Sequence, residues 1–218
     1  MQYFFQNHNA RELIIFFAGW GCDYNQFANL QDRKDVLILC DYQDWSLDFD
    51  FSKYDDIYVI AYSAGVFVAS VMADKIPNVR KKVALCGNPY LFDERLGISA
   101  NTIRILKNIT LDNYLDFRRR YMVFSDDEYV KYNRLECVRT IESCANELTA
   151  LQQAYSQKKT QINPEFDQAY AAENDLIFNL AAQKDFYQDK LTVIPHARHH
   201  IFFRFGSFEE ILTLNRLR

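Results

Sequence analysis

The sequence predicts an α/β fold in which a mostly parallel sheet carries helices on both faces and is interrupted by a helical cap. Two observations predict the sheet: its strand-like runs are continuously apolar rather than alternating, and they recur between longer connections. A third observation predicts the cap, because strand-like runs disappear from the middle of the chain and helical segments replace them. We therefore expect a core of residues 1–90 and 165–218 and a cap of residues 91–164.

Four strands and one helix are predicted in the first part of the chain. The strands are the apolar runs 13–17, 36–40, 57–61 and 82–86. The first ends in the glycine-rich turn Ala18-Gly19-Trp20-Gly21, and the fourth is stopped by Gly87-Asn88-Pro89. The segment 64–75, directly after the third strand, predicts a helix that ends before Pro77.

The remaining elements follow in order. Cap helices are predicted over 102–107, 111–123 and 138–155. Two short strands are then predicted over 167–172 and 191–194, with a helix over 179–187 between them and a last helix over 208–214.

Composition excludes several classes of protein. The chain has 218 residues, of which 49% are hydrophobic and 25% charged, as in a soluble globular protein. We expect neither a signal peptide nor a membrane span, because the amino-terminal segment turns polar quickly and no apolar run is long enough. The five cysteines are scattered without a paired motif, which favours a reducing cytoplasm and indicates neither a disulfide framework nor a zinc site. We also expect no metal and no other cofactor. A net charge of −4 argues against nucleic-acid binding.

The strongest motif is Ala61-Tyr62-Ser63-Ala64-Gly65, between a predicted strand and a predicted helix. A serine on such a sharp turn projects its hydroxyl above the sheet edge, and small residues are needed on either side because the two backbones crowd there. The motif predicts Ser63 as the nucleophile of an α/β-hydrolase. The competing interpretation is a serine that caps an ordinary helix.

The same fold predicts two donors for the oxyanion of a tetrahedral intermediate. One is the backbone N–H of Ala64, the residue after the nucleophile. The other comes from a loop after an earlier strand, and Gly19-Trp20-Gly21 suggests the N–H of Trp20. Alternatively, this tripeptide is a simple glycine turn.

The catalytic base is expected late in the chain, because the order in this fold is serine, acid, histidine. His196, His199 and His200 cluster just after the last predicted strand, and we expect the base to be His199 with His200 as the alternative. The cluster does not predict a metal site, since no adjacent acidic or cysteine ligand completes it. Asp175 suits the acid best, and the other candidates are Asp126, Asp127, Glu142 and Glu173.

With these residues identified, the chain resembles the BioG-type esterases, which cleave the methyl ester of pimeloyl-acyl carrier protein in biotin synthesis. The resemblance covers most of the chain. It is carried by Phe17-Ala18-Gly19-Trp20-Gly21, Asp41-Tyr42-Gln43-Asp44, Leu47-Asp48-Phe49-Asp50, Ala61-Tyr62-Ser63-Ala64-Gly65, Phe117-Arg118-Arg119-Arg120, Glu147-Leu148-Thr149-Ala150-Leu151 and His199-His200-Ile201-Phe202-Phe203-Arg204-Phe205.

The resemblance implies specific roles. It implies Ser63 as the nucleophile and Asp175 as the acid, and it favours His199 over His200 as the base. Tyr62 stands where the family often has tryptophan and Ala64 where it often has methionine, and we expect these changes to line the pocket and alter its acyl-chain preference. Residues 92–110 match the family less well than the remainder of the chain.

The implied substrate carrier is an acidic acyl carrier protein, which requires a basic docking surface. Residues 104–139 sum to +2 while the other residues carry −6, and Arg118, Arg119 and Arg120 are the densest basic cluster. The alternative is a solvated helix face whose arginines pair with Asp112 and Asp116. Two further functions stay open: a general small-acyl carboxylesterase or thioesterase, and a non-catalytic binding module on a hydrolase fold.

Overall fold

The computed structural model describes residues 1–213, which form a seven-stranded sheet in the order β1-β3-β2-β4-β5-β6-β7. The strands are β1 (Gln2–Gln6), β2 (Glu12–Phe17), β3 (Asp35–Cys40), β4 (Asp56–Tyr62), β5 (Val79–Leu85), β6 (Gln168–Ala172) and β7 (Leu191–Ile194). Every pairing from β3 to β7 is parallel, which confirms the predicted mostly parallel sheet.

The strand β1 was not predicted. It pairs antiparallel with β3 at the edge of the sheet, and its first three residues are exposed. It therefore lacks the buried apolar run by which the other strands were identified. The strand β5 also begins earlier than predicted, at Val79, because the charged residues before Val83 pair with β4 although they interrupt the apolar run.

Both faces of the sheet are buried, as expected for continuous apolar strands. Alternate residues of β2 enter two separate cores: Leu13, Ile15 and Phe17 face one, and Ile14 and Phe16 face the other. Helices α1 (Ala64–Met72) and α6 (Leu180–Tyr187) contribute to the first core, and α7 (Phe208–Thr213) contributes to the second. The predicted last helix ended at residue 214, which lies outside the described residues.

Four helices lie between β5 and β6: α2 (Ala100–Lys107), α3 (Leu111–Phe117), α4 (Asp126–Arg134) and α5 (Ile141–Lys158). A π-helical turn, Arg118–Met122, follows α3 directly. The helix α4 was not predicted because its sequence is mostly polar; it is stabilised by the Ser125 hydroxyl, which accepts the Glu128 N–H at its amino end. We propose that these helices are the cap expected between residues 91 and 164.

No helix within residues 1–213 is both long enough and apolar enough to cross a membrane.

Candidate active site

Ser63 follows β4 at the carboxyl edge of the sheet, where the loops after β2, β6 and β7 also meet. Its backbone is strained, with φ 55° and ψ −123°, in a region that residues other than glycine rarely adopt. Its N–H is held by the carbonyl oxygen of Leu85 at 2.9 Å. Ser63 occupies the N-cap position of α1, but its hydroxyl makes no capping hydrogen bond. The arrangement is that of a nucleophile elbow rather than of a helix cap.

Close backbone contacts explain the glycine two residues after Ser63. A Cβ atom on Gly65 would lie 2.3 Å from the carbonyl oxygen of Phe17, well inside contact distance. A Cβ atom on Gly87, after the neighbouring strand, would lie 2.5 Å from the carbonyl oxygen of Ser63. The turn around Ser63 is therefore enclosed by backbone on two sides, which fixes the position of its hydroxyl.

Two hydrogen bonds join Ser63, His199 and Asp175. The Nε2 atom of His199 lies 2.9 Å from the Oγ of Ser63, and its Nδ1 atom lies 2.9 Å from the Oδ2 of Asp175. All three residues are buried. This geometry puts the hydroxyl proton within reach of the imidazole and gives the imidazole an orienting carboxylate.

Asp175 is itself fixed by the chain that follows it. Its Oδ1 accepts the N–H groups of Ile177 and Phe178 at 2.8 and 3.1 Å, so that Oδ2 is left for His199. The ring of Phe178 stacks on the imidazole with an interplanar angle of 7°. The hydroxyl of Tyr62 donates to the carbonyl oxygen of His199 at 3.2 Å. Sequence reasoning missed these contributions of Tyr62 and Phe178, since aromatic residues are frequent in this chain and carry no motif.

The other candidate acids lie elsewhere. Asp126 pairs with Arg119, and Glu173 accepts the backbone N–H of His196. Asp127 and Glu142 are exposed at the starts of α4 and α5. Among residues 1–213, the carboxylate that bonds to the His199 ring is that of Asp175.

The alternative base, His200, occupies a different environment. Its ring packs against Phe27, Tyr132 and Phe202, and its backbone N–H donates to the carbonyl oxygen of Met122 at 2.8 Å. Burial, helped by the neighbouring His199 and Arg118, lowers the pKa of His200 to about 3. A ring with that pKa and that position suits packing and not proton transfer to Ser63.

The two expected oxyanion donors lie beside Ser63. Trp20 and Ala64 line one cavity with it, and a Cβ atom on Gly19 would lie 3.2 Å from the Cβ of Ser63. Neither backbone N–H donates a hydrogen bond within the described part of the chain. Ala64 opens α1, where an N–H has no partner inside the helix. Both donors are therefore available to a ligand.

The cavity next to Ser63 is mainly apolar and is built jointly by the sheet loops and the four inserted helices. Its apolar lining includes Leu91, Ile98, Leu106, Ile109, Met122, Leu148, Leu151, Ile177 and Phe178. The polar side chains near it are few, and Arg118 is one of them. Such a lining suits an aliphatic chain that carries the reacting group to Ser63.

The expected surface cluster of three arginines is split. Arg118 is buried: it donates to the carbonyl oxygen of Tyr132 at 2.6 Å, and its guanidinium lies 4.3 Å from the centre of that ring. Arg119 and Arg120 are exposed. Consecutive residues of a helical turn point in different directions, so the turn directs one arginine inward and two outward. Arg119 pairs with Asp126, and no pairing of these arginines with Asp112 or Asp116 occurs among residues 1–213.

One group of atoms near the site resembles a metal-ligand set. A sulfur, a carboxylate oxygen and a ring nitrogen from Cys86, Asp175 and His199 lie within 4.8 Å of one another. Burial raises the pKa of the Cys86 thiol, which disfavours the thiolate that a metal requires. The Nδ1 of His199 is also already bonded to Asp175. The absence of a metal stays a prediction.

Comparison with known proteins supports the family suggested by the motifs. The family model described as "Pimeloyl-ACP methyl esterase BioG" matches residues 1–211. A Haemophilus influenzae protein named "Uncharacterized protein" is 31% identical over 211 residues, covering 95% of this chain and 97% of that one. The crystal structure of BioG from Haemophilus influenzae superposes with a TM-score of 0.84 at 30% identity, covering 96% of this chain and 98% of the other.

Two further similarities are weaker, the first because it covers a small part of the relative and the second because its sequence identity is low. A Bacteroides fragilis protein named "Malonyl-[acyl-carrier protein] O-methyltransferase" is 33% identical over 187 residues, or 82% of this chain, but the match spans only 37% of that protein. An enol-lactonase from Burkholderia xenovorans superposes with a TM-score of 0.64 at 12% identity, covering 91% of this chain and 88% of that one. At that identity the likeness shows the α/β-hydrolase fold alone.

Proposed function

The chain belongs to the BioG family of pimeloyl-ACP methyl esterases, and we propose that it is a serine esterase that hydrolyses the methyl ester of pimeloyl-acyl carrier protein to pimeloyl-acyl carrier protein and methanol in biotin biosynthesis. One observation carries the proposal: the hydroxyl, imidazole and carboxylate of Ser63, His199 and Asp175 are joined by two hydrogen bonds of 2.9 Å at the wall of an apolar cavity.

In the first half of the reaction, the Oγ of Ser63 attacks the carbonyl carbon of the methyl ester while the Nε2 of His199 takes its proton. Asp175 holds the Nδ1–H and stabilises the imidazolium that forms. The tetrahedral oxyanion receives hydrogen bonds from the N–H groups of Trp20 and Ala64. The intermediate collapses as His199 returns the proton to the leaving methoxide, which releases methanol and leaves an acyl-serine.

In the second half, water attacks the acyl-serine. His199 removes a proton from this water, and the same two backbone donors hold the second oxyanion. Collapse returns the proton to Ser63 and frees the carboxylate. The thioester to the carrier survives because the carrier, docked outside the cavity, keeps that bond away from Ser63.

The surface near the inserted helices supports recognition of an acidic carrier. Arg119 and Arg120 are exposed, and their backbone carbonyl oxygens accept hydrogen bonds from Arg198, which precedes His199. We propose that these two arginines, rather than all three of the cluster, steer the carrier, while Arg118 belongs to the cavity wall.

The name of the Bacteroides fragilis relative does not change this proposal. Most of that protein lies outside the match, and the hydroxyl, imidazole and carboxylate beside the cavity are the groups that a serine hydrolase uses. All five cysteines are free thiols, which fits the cytoplasm as the proposed location.

The decisive experiment is to measure methanol release from pimeloyl-carrier methyl ester beside hydrolysis of a short-chain aryl ester. We expect kcat/KM to be much higher for the carrier-bound substrate. Comparable or higher efficiency on the aryl ester would favour a general carboxylesterase, and loss of the thioester instead of methanol would favour a thioesterase. No turnover of either substrate would indicate a binding module.

The docking role has its own test. Reversing Arg119 and Arg120 to glutamate should lower kcat/KM on the carrier-bound ester about 10-fold at low salt, and less at high salt, with the aryl ester unaffected. The control is Lys75→Glu, because Lys75 is exposed beyond the far end of α1 from Ser63. Equal loss on both substrates would contradict docking at this surface.

A further inference from the structure

We propose that Glu147, on the inserted helix α5, is a positioning residue that holds the oxyanion-binding loop of the core in its active shape. This inference rests on the proposed function and assigns a role to a motif that the triad leaves unexplained. Glu147 has no exposed surface, although glutamate is rarely buried completely in proteins.

The contacts of the Glu147 carboxylate explain why it is buried. Its Oε2 accepts the backbone N–H of Gly21 at 2.9 Å, and its Oε1 accepts the backbone N–H of Tyr42 at 3.1 Å. Both donors belong to loops that follow strands of the core, β2 and β3. A side chain of α5 therefore ties together two loops at the carboxyl edge of the sheet.

The charge of Glu147 is balanced at the same place. Arg139 donates to the Oε2 of Glu147 at 3.1 Å and to Asp41 at 2.9 Å. The side chains of Arg139 and Glu147 are both almost completely buried. Burial raises the pKa of Glu147, and the charge of Arg139 and the two N–H donors oppose that rise. Losing one member of such a buried set leaves a buried charge short of a partner, which is costly.

Trp20, the expected oxyanion donor, is held by α5 at two points, its own indole and the N–H of the next residue. Its indole N–H donates to the carbonyl oxygen of Cys144 at 2.7 Å, and the next residue, Gly21, donates to Glu147. Cys144 and Glu147 are three residues apart on α5 and so lie on one face of it. Gly21 has a φ of 68°, so the loop turns sharply at the residue whose N–H donates to Glu147.

This arrangement matters for catalysis because an oxyanion donor must be fixed before the charge develops. Removing one such donor from a serine hydrolase costs on the order of 10²- to 10³-fold in kcat. In Glu147→Gln, one of the two oxygens becomes an NH₂ group that faces an N–H of Gly21 or Tyr42. The loop must then shift, and we expect kcat on a short-chain aryl ester to fall about 10-fold or more while KM changes little.

The test separates positioning from simple stabilisation. A fluorophosphonate counts the active sites of the wild type and of Glu147→Gln, so that kcat can be given per active site. The Ki of a trifluoromethyl ketone, which forms a tetrahedral adduct, is measured for both proteins. Glu142→Gln is the matched control, since Glu142 is exposed at the start of the same helix. We expect Ki to rise by the factor by which kcat/KM falls, and the control to match the wild type.

A lower active fraction or melting temperature with unchanged kcat per site and unchanged Ki would overturn the inference. If Glu147→Gln does not fold, Glu147→Asp keeps the charge beside Arg139 but shortens the reach to Gly21 and Tyr42 by one methylene. It should show a smaller loss with the same link between kcat/KM and Ki, and no loss would likewise overturn the inference. A wild-type protein that hydrolyses neither ester would instead refute the proposed function.

Discussion

Replacing Asp175 by asparagine exchanges one carboxylate oxygen for an NH₂ group beside His199. The orientation of the new amide is dictated by its surroundings. The N–H groups of Ile177 and Phe178 both donate to Oδ1, so that position must stay an oxygen. The NH₂ group of the asparagine must then face the Nδ1 of His199, where Oδ2 now lies at 2.9 Å.

The consequence is a reversed imidazole. An Nδ1 that accepts a hydrogen bond from the asparagine cannot carry a proton, so the proton of the neutral ring moves to Nε2. An Nε2–H that points at the Oγ of Ser63 cannot take the serine proton. The same exchange in a serine protease triad lowers kcat about 10⁴-fold, which corresponds to about 5.4 kcal/mol in the activation barrier. We expect a loss of similar size here, because the two backbone donors prevent the amide from flipping.

The assay is hydrolysis of the aryl ester and of the carrier-bound methyl ester, with thermal unfolding to verify the fold. Glu173→Gln is the matched control: it makes the same chemical change two residues away, at an exposed side chain whose oxygen accepts the His196 N–H. It should retain nearly full activity. A folded Asp175→Asn protein with kcat within 10-fold of the wild type would refute the assignment of Asp175 and the tautomer argument with it.

Two further predictions concern stability. Gly65→Ala should lower the free energy of unfolding by about 3 kcal/mol or more, because its Cβ would lie 2.3 Å from the Phe17 carbonyl oxygen. The control is Gly206→Ala, whose Cβ would make an ordinary contact at 3.6 Å. Equal unfolding midpoints in urea for the two variants would contradict this prediction. His200 has a pKa of about 3 when folded and an ordinary value near 6.5 when unfolded, so the unfolded state binds the extra proton between these values and stability falls as pH falls. Between pH 6 and 4 the free energy of unfolding of the wild type should fall by about 1.4 kcal/mol more per pH unit than that of His200→Phe. Urea titrations at each pH measure both, and an equal pH dependence in the two proteins would refute the buried neutral ring.

Local patterns predicted much of the sheet and pointed to the residues of the candidate site. The strands β2, β3 and β4 were identified because both of their faces are buried, so their sequences are continuously apolar. Ser63 was identified because a strand, a tight turn of small residues and a helix follow one another within one short segment. These signals are all local, which is why one sequence suffices to detect them.

Other features depend on contacts that a single sequence does not display. The hydrogen bond from the Gly21 N–H to Glu147 joins residues 126 positions apart. The burial of Arg118 depends on the direction in which its turn faces the neighbouring Tyr132, and three consecutive arginines look alike in the sequence. The edge strand β1 has no buried apolar run, and its pairing with β3 is a contact between distant segments of the chain.

The central claim is that the hydroxyl of Ser63 is the nucleophile, activated by His199. The most direct measurement is mass spectrometry of the protein after brief reaction with a fluorophosphonate, followed by peptide mapping. We predict one adduct per chain, located on Ser63, absent in Ser63→Ala and formed far more slowly in His199→Ala. An adduct on another residue, or none in a folded wild-type protein, would contradict the account.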